Sequence, residues 1–225
     1  MEFINNLKDS AFSKLDVYGY SPDLSGWMDP HFEVVIREKL AERDRSEPLL
    51  VIEVGSWKGL SAVTLASVLK SMGFTQFNII CIDTWLGAPE FWTWGLNDPT
   101  RGGSLNRIDG YPSVFRTFTK NVKTMGYSDV IAPFPISSQQ ALEVVKFYKL
   151  EADLIYVDAS HEYEAVKDDI EWWWTVLKPG GILMGDDYMS NWPGVVRAVN
   201  EKGTPELRGV VWTFKKKNIN YTSDL

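Results

Sequence analysis

The chain has 225 residues, of which 44% are hydrophobic and 24% are charged. This length and composition are typical of one globular domain of generous size with a full core. Its 23 basic and 30 acidic residues give a net charge of −7, and its compact basic run, residues 215–217, is too short to form the stripe that nucleic-acid binding requires. We therefore expect no nucleic-acid substrate.

Three further features predict the setting in which the protein works. No apolar stretch approaches the roughly 20 residues that a membrane-spanning helix requires. Residues 1–16 mix acidic and amide side chains and lack the basic-then-apolar order of a secretory signal. The single cysteine, Cys81, lies in an apolar run, which favours a core position over a nucleophilic role. We expect a cytoplasmic protein without a membrane partner.

Residues 1–48 include a helical pattern from His31 to Arg43 and are predicted to form an N-terminal helical cap or extension. One domain is predicted to follow over residues 49–225. Apolar runs that end in a polar or acidic residue predict its buried strands at 49–53, 77–83, 153–158 and 181–186, with weaker strands at 130–134 and 209–214. Helical patterns lie at 61–72, 138–148 and 163–177.

This alternation of strands and helices is typical of an α/β fold. Continuous hydrophobicity within each strand is expected when helices cover both faces of a parallel sheet. We therefore predict a Rossmann-like, doubly wound, mostly parallel sheet with helices on both faces and the N-terminal helical cap. In such sheets ligands bind outside the carboxyl ends of the strands, where Glu53, Asp83, Asp158 and Asp186 stand in the sequence.

The first predicted strand is followed by a turn with the spacing Gly55-x-x-x-Gly59 and then by a helix. Backbone N–H groups in such a turn surround a small ligand, and glycine permits its close approach. The spacing differs from G-x-G-x-x-G, which argues against a nicotinamide enzyme. Asp83 ends the next strand, where doubly wound folds place a carboxylate that accepts ribose hydroxyls; a helix N-cap is the alternative. Ser137 and Ser138 are predicted to lie near an adenine.

Four motifs together resemble one enzyme family. They are residues 53–61 (EVGSWKGLS), 82–87 (IDTWLG), 157–169 (VDASHEYEAVKDD) and 177–188 (LKPGGILMGDDY). The set is similar to class I S-adenosylmethionine-dependent methyltransferases, and more narrowly to the bacterial and viral family of macrocin-type and other sugar or natural-product O-methyltransferases. The resemblance implies S-adenosylmethionine as cofactor. The predicted cofactor contacts are Glu53, Gly55, Ser56, Trp57, Gly59, Ser61, Asp83, Thr84, Trp85, Ser137, Ser138 and Asp158.

Three carboxylates are predicted to converge at neighbouring strand ends. Asp158 ends one strand, Asp186 and Asp187 end the next, and adjacent strands lie about 4.8 Å apart. Such anions are costly together unless a cation or protons neutralise them, and Mg²⁺ prefers oxygen ligands. We therefore predict a site for Mg²⁺ or another hard divalent cation, which the resemblance to metal-dependent O-methyltransferases supports. In the alternative, Asp187 caps the following turn and Asp186 merely lines the pocket.

His161 lies three residues after Asp158 and is predicted to be the catalytic base, with Asp158 also assigned to catalysis. An imidazole with a reference pKa of about 6.5 accepts a proton near neutrality. Metal-dependent catechol methyltransferases have a lysine at the corresponding spacing, so the residue type departs from that pattern. In the alternative, His161 caps the following helix or contacts the adenine.

Residues 87–111 form a long irregular stretch rich in Trp, Gly, Asn and Pro, which is typical of a functional lid. Its aromatic side chains can stack on a sugar ring or a phenol, or form the loop's own small core. The predicted acceptor contacts are Trp92, Trp94, Tyr111 and Tyr188. Tryptophans 172–174 are expected to pack in the core or at a contact between copies of the chain, so a homo-oligomer is one expectation.

The predicted activity is a cation-assisted transfer of a methyl group from S-adenosylmethionine to a hydroxyl of a sugar or glycosylated natural product. The expected partner is a small-molecule or glycan acceptor. Two alternatives are a catechol- or phenol-type O-methyltransferase and a catalytically silent cofactor-binding interaction domain.

Overall fold

The computed structural model describes residues 1–93, 95, 97–99 and 102–218. Their helices are α1 Glu2–Phe12, α2 Phe32–Lys39, α3 Leu60–Ser71, α4 Pro89–Thr93, α5 Val114–Thr124, α6 Ser138–Phe147, α7 Tyr163–Thr175 and α8 Pro193–Lys202. Their strands are β1 Leu49–Val54, β2 Phe77–Asp83, β3 Ile131–Pro135, β4 Ala152–Val157, β5 Leu177–Gly185, β6 Glu206–Arg208 and β7 Val211–Lys215. A 3₁₀ turn lies at Gly102–Leu105.

Over the described part of the chain, these strands form one seven-stranded sheet in the order β3-β2-β1-β4-β5-β7-β6. Strands β1 to β5 pair in parallel, whereas β7 runs antiparallel to β5 and β6. The strand order reverses between β1 and β4, which places a crevice at their carboxyl ends. The predicted α/β fold with a doubly wound, mostly parallel sheet is confirmed.

Helices cover both faces of the sheet because side chains alternate along each strand. In β1, Val51 packs into a buried cluster with α2, α3 and α5, whereas Ile52 packs into a second cluster with α6, α7 and α8. Cys81 and Trp173 are buried in these two clusters, as expected for core residues. Burial on both faces accounts for the continuous hydrophobic runs of the sequence.

The predicted strands all form, with bounds shifted by a few residues. The predicted elements do not include α1, α5, α8 or β6. Helix α5 carries Val114, Phe118 and Val122 at the i, i+4, i+8 spacing of a helix, so the signal of its buried stripe is present in the sequence. The long stretch expected to be irregular contains the short helix α4.

The N-terminal residues 1–48 pack directly on the sheet layer. The Phe3 ring of α1 lies 5.3 Å from the Phe134 ring of β3, measured between centroids. Helix α2 packs against α3, and Arg43 forms a 2.7 Å ion pair with Asp153 at the start of β4. The division into a cap and a domain at residue 49 stays a prediction. Among the described helices, none combines the length and apolar character that crossing a membrane requires.

Candidate active site

A cavity of about 720 Å³ opens at the carboxyl edge of the parallel strands. Its lining includes the turn after β1, the end of β2 and the segments that follow β3, β4 and β5. Residues 25–27 and 87–91 line its remaining walls. Cavities of roughly 300–1,000 Å³ hold small-molecule ligands, so the site predicted from the strand ends has the size that such a ligand needs.

The turn after β1 requires glycine at both predicted positions. Gly55 has φ +88°, and a Cβ there would lie 2.1 Å from the backbone oxygen of Asp158. Gly59 has φ +91° and is the N-cap residue of α3, where a Cβ would lie 3.1 Å from the Phe118 ring. Left-handed backbone and close packing exclude larger side chains at Gly55. The turn therefore lies against the end of β4.

Asp83 connects the end of β2 to this turn. Its Oδ2 accepts the N–H groups of Ser56 at 3.0 Å and Trp57 at 2.9 Å, and its Oδ1 accepts the N–H of Trp85 at 2.7 Å. Burial raises the pKa of Asp83, although these N–H groups favour its charged form. The next helix begins at Pro89, so Asp83 is not a helix N-cap. Asp83 lines the cavity and also holds the turn in place.

Glu53 lies behind the turn and is fully buried. The Ser56 hydroxyl donates a hydrogen bond of 2.6 Å to Glu53 Oε2. Burial raises the pKa of Glu53 and also raises the pKa of the neighbouring Cys81 thiol. Glu53 therefore supports the turn from the core side.

A second group of polar side chains lies at the ends of β4 and β5. Asp158, His161 and Asp187 each offer one ligand atom, and these atoms lie within 4.8 Å of one another. Asp187 has a left-handed φ of +63°, a conformation that functional sites often contain in non-glycine residues. Two carboxylate oxygens and an imidazole nitrogen are ligands that divalent cations accept, so this donor set fits such an ion.

The predicted metal ligand Asp186 lies behind this group. Its Oδ1 accepts the N–H of Asp187 at 2.8 Å, and its Oδ2 lies 3.3 Å from the Tyr156 hydroxyl and 3.4 Å from the N–H of Asp29. Its side chain is buried and does not line the main cavity. The structure thus places His161, rather than Asp186, among the candidate ligands, because these hydrogen bonds hold the Asp186 carboxylate away from the cavity.

The carboxylates of this region are electrostatically costly. Burial raises the pKa of Asp158 well above its usual range, and the charges of Asp186 and Asp187 raise it further. Burial also raises the pKa of Asp186 to about 6. Burial alone would lower the pKa of His161, but its hydrogen bond to Asp187 and the charge of that carboxylate raise it overall. A proton or a bound cation relieves this repulsion.

His161 is held on three sides. Its Nε2 lies 2.8 Å from Asp187 Oδ2, and its Nδ1 lies 3.3 Å from Glu90 Oε1 of α4. The Trp192 ring stacks on the imidazole with centroids 3.9 Å apart and an interplanar angle of 14°. The N-cap residue of α7 is Glu162, so His161 does not cap that helix. The imidazole therefore has a defined orientation at the cavity wall.

Comparison with protein families matches residues 52–188 to a family described as a methyltransferase domain, which is more than half of the chain. The chain belongs to this methyltransferase family. The methyltransferase is also 21% identical over 173 residues to the uncharacterised protein R132 of Acanthamoeba polyphaga mimivirus. That alignment covers 76% of this chain and 66% of the relative, so the chain spans just under two thirds of the relative's length.

Several solved structures share the fold of the methyltransferase. The O-methyltransferase NovP superposes with a TM-score of 0.61 at 17% identity, covering 84% of this chain and 78% of NovP. The calicheamicin methyltransferase CalS11 gives 0.57 at 17% identity, covering 95% and 91%. The O-methyltransferase TomG from Streptomyces achromogenes gives 0.54 at 13% identity, covering 96% and 90%. Family and fold together confirm the prediction of a class I methyltransferase.

The predicted cofactor residues of the methyltransferase fall into two groups. Those that line the cavity are Gly55, Ser56, Trp57, Ser61, Asp83, Thr84, Ser137, Ser138 and Asp158. Glu53, Gly59 and Trp85 lie outside the cavity lining. Trp85 is 2% exposed, packs on Phe118 and donates its indole N–H to the Trp57 carbonyl at 2.7 Å. These three residues shape the turn from the core side.

The predicted acceptor contacts are placed differently. Trp94 lies outside the described residues. Trp92 is 40% exposed and donates its indole N–H to the Leu86 carbonyl at 2.9 Å, and Tyr111 is 66% exposed. The Tyr188 hydroxyl donates to Asn200 Oδ1 at 3.0 Å. Trp92, Tyr111 and Tyr188 do not line the cavity, whose described aromatic lining is Trp27, Trp57 and Phe91.

Sequence reasoning missed Glu90 and Trp27 as cavity residues. Glu90 is an acid in a loop rich in proline and glycine, and it is separated from His161 by 71 residues. Trp27 lies in the N-terminal segment, which carries no motif that relates it to the glycine turn. A tryptophan beside a glycine, Gly26-Trp27, was the one signal, and it is weak because such pairs also occur in ordinary turns.

Proposed function

We propose that this methyltransferase transfers a methyl group from S-adenosylmethionine to a hydroxyl oxygen with the help of a divalent cation. One observation carries the proposal: Asp83 lines the same cavity as Asp158, His161 and Asp187. Asp83 ends β2 and Asp187 follows β5, and strands β1 and β4 lie between them in the sheet. The region around Asp83, which suits a nucleoside, and the group of Asp158, His161 and Asp187, which suits a cation and a proton, thus face the same cavity.

The glycine turn and Asp83 form the cofactor end. Backbone N–H groups and glycine permit close approach of a ligand, and a carboxylate at this strand end accepts ribose hydroxyls in doubly wound folds. S-adenosylmethionine, when bound, would supply a methyl group on a positively charged sulfur. The acceptor oxygen would form the new bond to the methyl carbon as the carbon–sulfur bond breaks and its electron pair stays on sulfur, and the hydroxyl proton would pass to a base of the protein. The solved structure of TomG is described as a complex with S-adenosylmethionine.

Asp158 and Asp187 form the cation end. Their oxygens suit a hard divalent cation such as Mg²⁺. The raised pKa of Asp158 reflects its burial and, after that, the charges of Asp186 and Asp187, and such an ion would favour the charged carboxylate again. A divalent cation at these carboxylates would lower the pKa of an acceptor hydroxyl. Asp186 then acts from behind the site through its hydrogen bond with the Asp187 N–H.

His161 is assigned as the group that takes the hydroxyl proton. Both ring nitrogens face carboxylates, Nε2 facing Asp187 at 2.8 Å and Nδ1 facing Glu90 at 3.3 Å. A cation held by Asp187 would engage that carboxylate, and Glu90 would then favour the tautomer with the proton on Nδ1 and Nε2 as the acceptor. Trp192 fixes the plane of the ring by stacking. A base within reach of the reacting hydroxyl and a third group that orients it are the usual elements of such proton transfer.

The acceptor is proposed to be a sugar or a glycosylated natural product. Trp27, Trp57 and Phe91 supply apolar aromatic faces to the cavity, and such faces pack against the C–H face of a sugar ring. CalS11 is described as a calicheamicin methyltransferase, which is consistent with an acceptor from natural-product chemistry. The net charge of −7 favours a small-molecule or glycan acceptor over nucleic acid. Homo-oligomer formation stays a prediction.

Methyl transfer from radiolabelled S-adenosylmethionine, measured on panels of sugars and catechols, tests the proposal. Chelation of divalent ions and Asp187→Asn are each expected to lower turnover about 100-fold, because several kcal/mol of stabilisation are lost. The matched control Asp129→Asn changes an exposed carboxylate before β3 and keeps full activity. Full turnover after chelation refutes the requirement for a divalent cation. Activity on catechols but not on sugars refutes the proposal of a sugar acceptor.

A separate experiment decides how His161 acts. In His161→Gln, turnover is expected to fall roughly 10²- to 10⁴-fold, the usual contribution of a general base. Mn²⁺ affinity, measured by electron paramagnetic resonance, is expected to stay within about threefold of the wild-type value, since Asp158 and Asp187 hold the ion. Loss of Mn²⁺ binding in the same variant would show that the imidazole is a ligand and not the base.

A further inference from the structure

Asn121 of α5 is fully buried and has all four hydrogen-bonding positions of its amide occupied. Its Nδ2 donates to the carbonyl oxygens of Asp23 at 2.7 Å and Lys58 at 2.8 Å. Its Oδ1 accepts the Asp23 N–H at 2.9 Å and the Tyr20 hydroxyl at 3.0 Å. One side chain therefore joins a helix, the glycine turn and an N-terminal segment.

The N-terminal segment in question, residues 20–28, has no regular secondary structure and is here named the strap. A second contact joins it to the turn from the other direction. The Lys58 ammonium donates to Asp23 Oδ2 at 2.7 Å and to Ser25 Oγ at 2.8 Å, and Lys58 is buried. Segments without regular structure keep a single conformation only where such bonds hold their backbone. The strap is therefore bound to the turn twice.

The strap also forms part of the cavity wall. Residues 25–27 line the cavity, and a Cβ built on Gly26 would lie 3.7 Å from Trp57 Cδ1 and 3.9 Å from Leu60 Cδ2. On either side of this stretch, Leu24 and Met28 pack against the core. The strap thus passes close to Trp57, which lies in the middle of the glycine turn.

We propose that Asn121 is a positioning residue for the cofactor, which holds the strap and the glycine turn at the separation that the cofactor needs. Asn121 does not line the cavity, so it acts through Asp23 and Lys58. The inference rests on the proposed function only in taking S-adenosylmethionine as the ligand of the turn. It adds a residue outside every motif of the sequence to the machinery of cofactor binding.

The physical reason is preorganisation. A strap that is already ordered loses little conformational entropy when the cofactor binds, whereas a loose strap must be ordered at that moment. Removal of the Asn121 amide leaves the buried Lys58 carbonyl and the partly buried Asp23 carbonyl without their donor, so the strap and the turn are expected to separate and admit water. Affinity for the cofactor then falls even though no cofactor contact has been removed.

Calorimetric titration of the full chain with S-adenosylhomocysteine tests the inference. Asn121→Ala is expected to raise Kd at least 10-fold. Asp23→Ala, a change on the half-exposed strap that removes the ion pair with Lys58, is expected to raise Kd by about threefold to tenfold. The matched control is Asn78→Ala, which removes the acceptor of the 2.9 Å bond from Lys8 in α1, away from the cavity.

Four outcomes are decisive. A raised Kd in both Asn121→Ala and Asp23→Ala, with a lowered melting temperature but unchanged Kd in Asn78→Ala, supports the inference. If Asp23→Ala and folded Asn121→Ala both bind S-adenosylhomocysteine with the wild-type Kd, the inference is overturned. An equal rise of Kd in Asn78→Ala also overturns it, because that rise would reveal a general effect of stability. No binding to the wild-type chain overturns the proposed cofactor together with this inference, so the two failures are distinguishable.

Discussion

Replacement of Gly55 by alanine tests how closely the cofactor turn must approach the end of β4. A Cβ at this position would lie 2.1 Å from the backbone oxygen of Asp158 and 2.6 Å from the Cα of Ala159. These neighbours are backbone atoms, so they cannot rotate away as the end of a flexible side chain does. The turn and the end of β4 must separate for an ordinary contact of 3.4 Å to form.

Two costs add in this variant. Alanine in the left-handed region at φ +88° costs about 1–2 kcal/mol, partly offset by about 0.4–1 kcal/mol from the reduced freedom of the unfolded chain. Forced separation of packed groups costs about 1–3 kcal/mol more. A total of about 1–5 kcal/mol corresponds to a fall of roughly 2–20 °C in Tm for a domain of this size.

Gly73→Ala is the matched control, because Gly73 has the same φ of +88° and no atom lies within 4 Å of its Cβ position. It is expected to lose about 1 kcal/mol or less, which is the backbone strain alone. Differential scanning calorimetry of both variants separates the contact with Asp158 from the strain. Titration with S-adenosylhomocysteine is expected to show weaker binding for Gly55→Ala and wild-type binding for Gly73→Ala.

Equal Tm values for the two variants would refute this reasoning, since the close approach would then cost nothing. Wild-type affinity in Gly55→Ala would separately refute the claim that the turn must lie against β4 to bind the cofactor.

Three further variants test other parts of the site. Asp83→Asn is expected to raise the Kd for S-adenosylhomocysteine about 10- to 100-fold, because one oxygen that accepts backbone N–H groups becomes an NH₂ group; unchanged affinity by calorimetry contradicts this. Glu90→Gln is expected to lower kcat about 10-fold with an unchanged KM for S-adenosylmethionine, since the amide orients His161 less strongly; a change in KM alone in steady-state kinetics argues against it. Burial raises the pKa of Asp169 to about 6. The folded state therefore binds more protons than the unfolded state between about pH 4 and 6, and the free energy of unfolding falls by about 3 kcal/mol as the pH rises through this range. Asp169→Asn is expected to lack this fall. Urea unfolding of the wild-type chain and of Asp169→Asn at pH 4.5 and 7.5 measures it, and an equal loss of stability in the two proteins would show that the reasoning is mistaken.

Much of the fold could be predicted because its signals are local. Parallel strands covered on both faces appear as continuous apolar runs, and the runs around Ile52, Ile80 and Ile155 all proved to be strands. Helices α5 and α8 were not predicted, although Val114, Phe118 and Val122 stand at helical spacing and proline at the first position of α8 favours a helix start, so both signals were present but short. These helices are stabilised by tertiary packing, which a short stretch of sequence does not reveal.

The candidate site was predictable to the extent that it follows from strand ends. Asp83, Asp158 and Asp187 terminate strands or follow them directly, so alignment of parallel strands alone brings them to one edge. Asp186 shows where this reasoning stops, because adjacency in sequence does not tell which of two neighbouring carboxylates turns toward the cavity. The hydrogen bonds of Asp186 with Tyr156 and the Asp187 N–H decide it.

The sequence by itself determined the α/β class and the glycine turn, because periodicity, strand ends and spacing are properties of short segments, and its four motifs resembled those of the methyltransferase family. Only the tertiary structure decided that Glu90 faces His161, that Trp92 and Tyr111 lie away from the cavity, and that Asn121 joins the strap to the turn. These contacts join residues far apart in the chain. Their geometry depends on how the helices and loops pack on the sheet, and no local pattern encodes that packing.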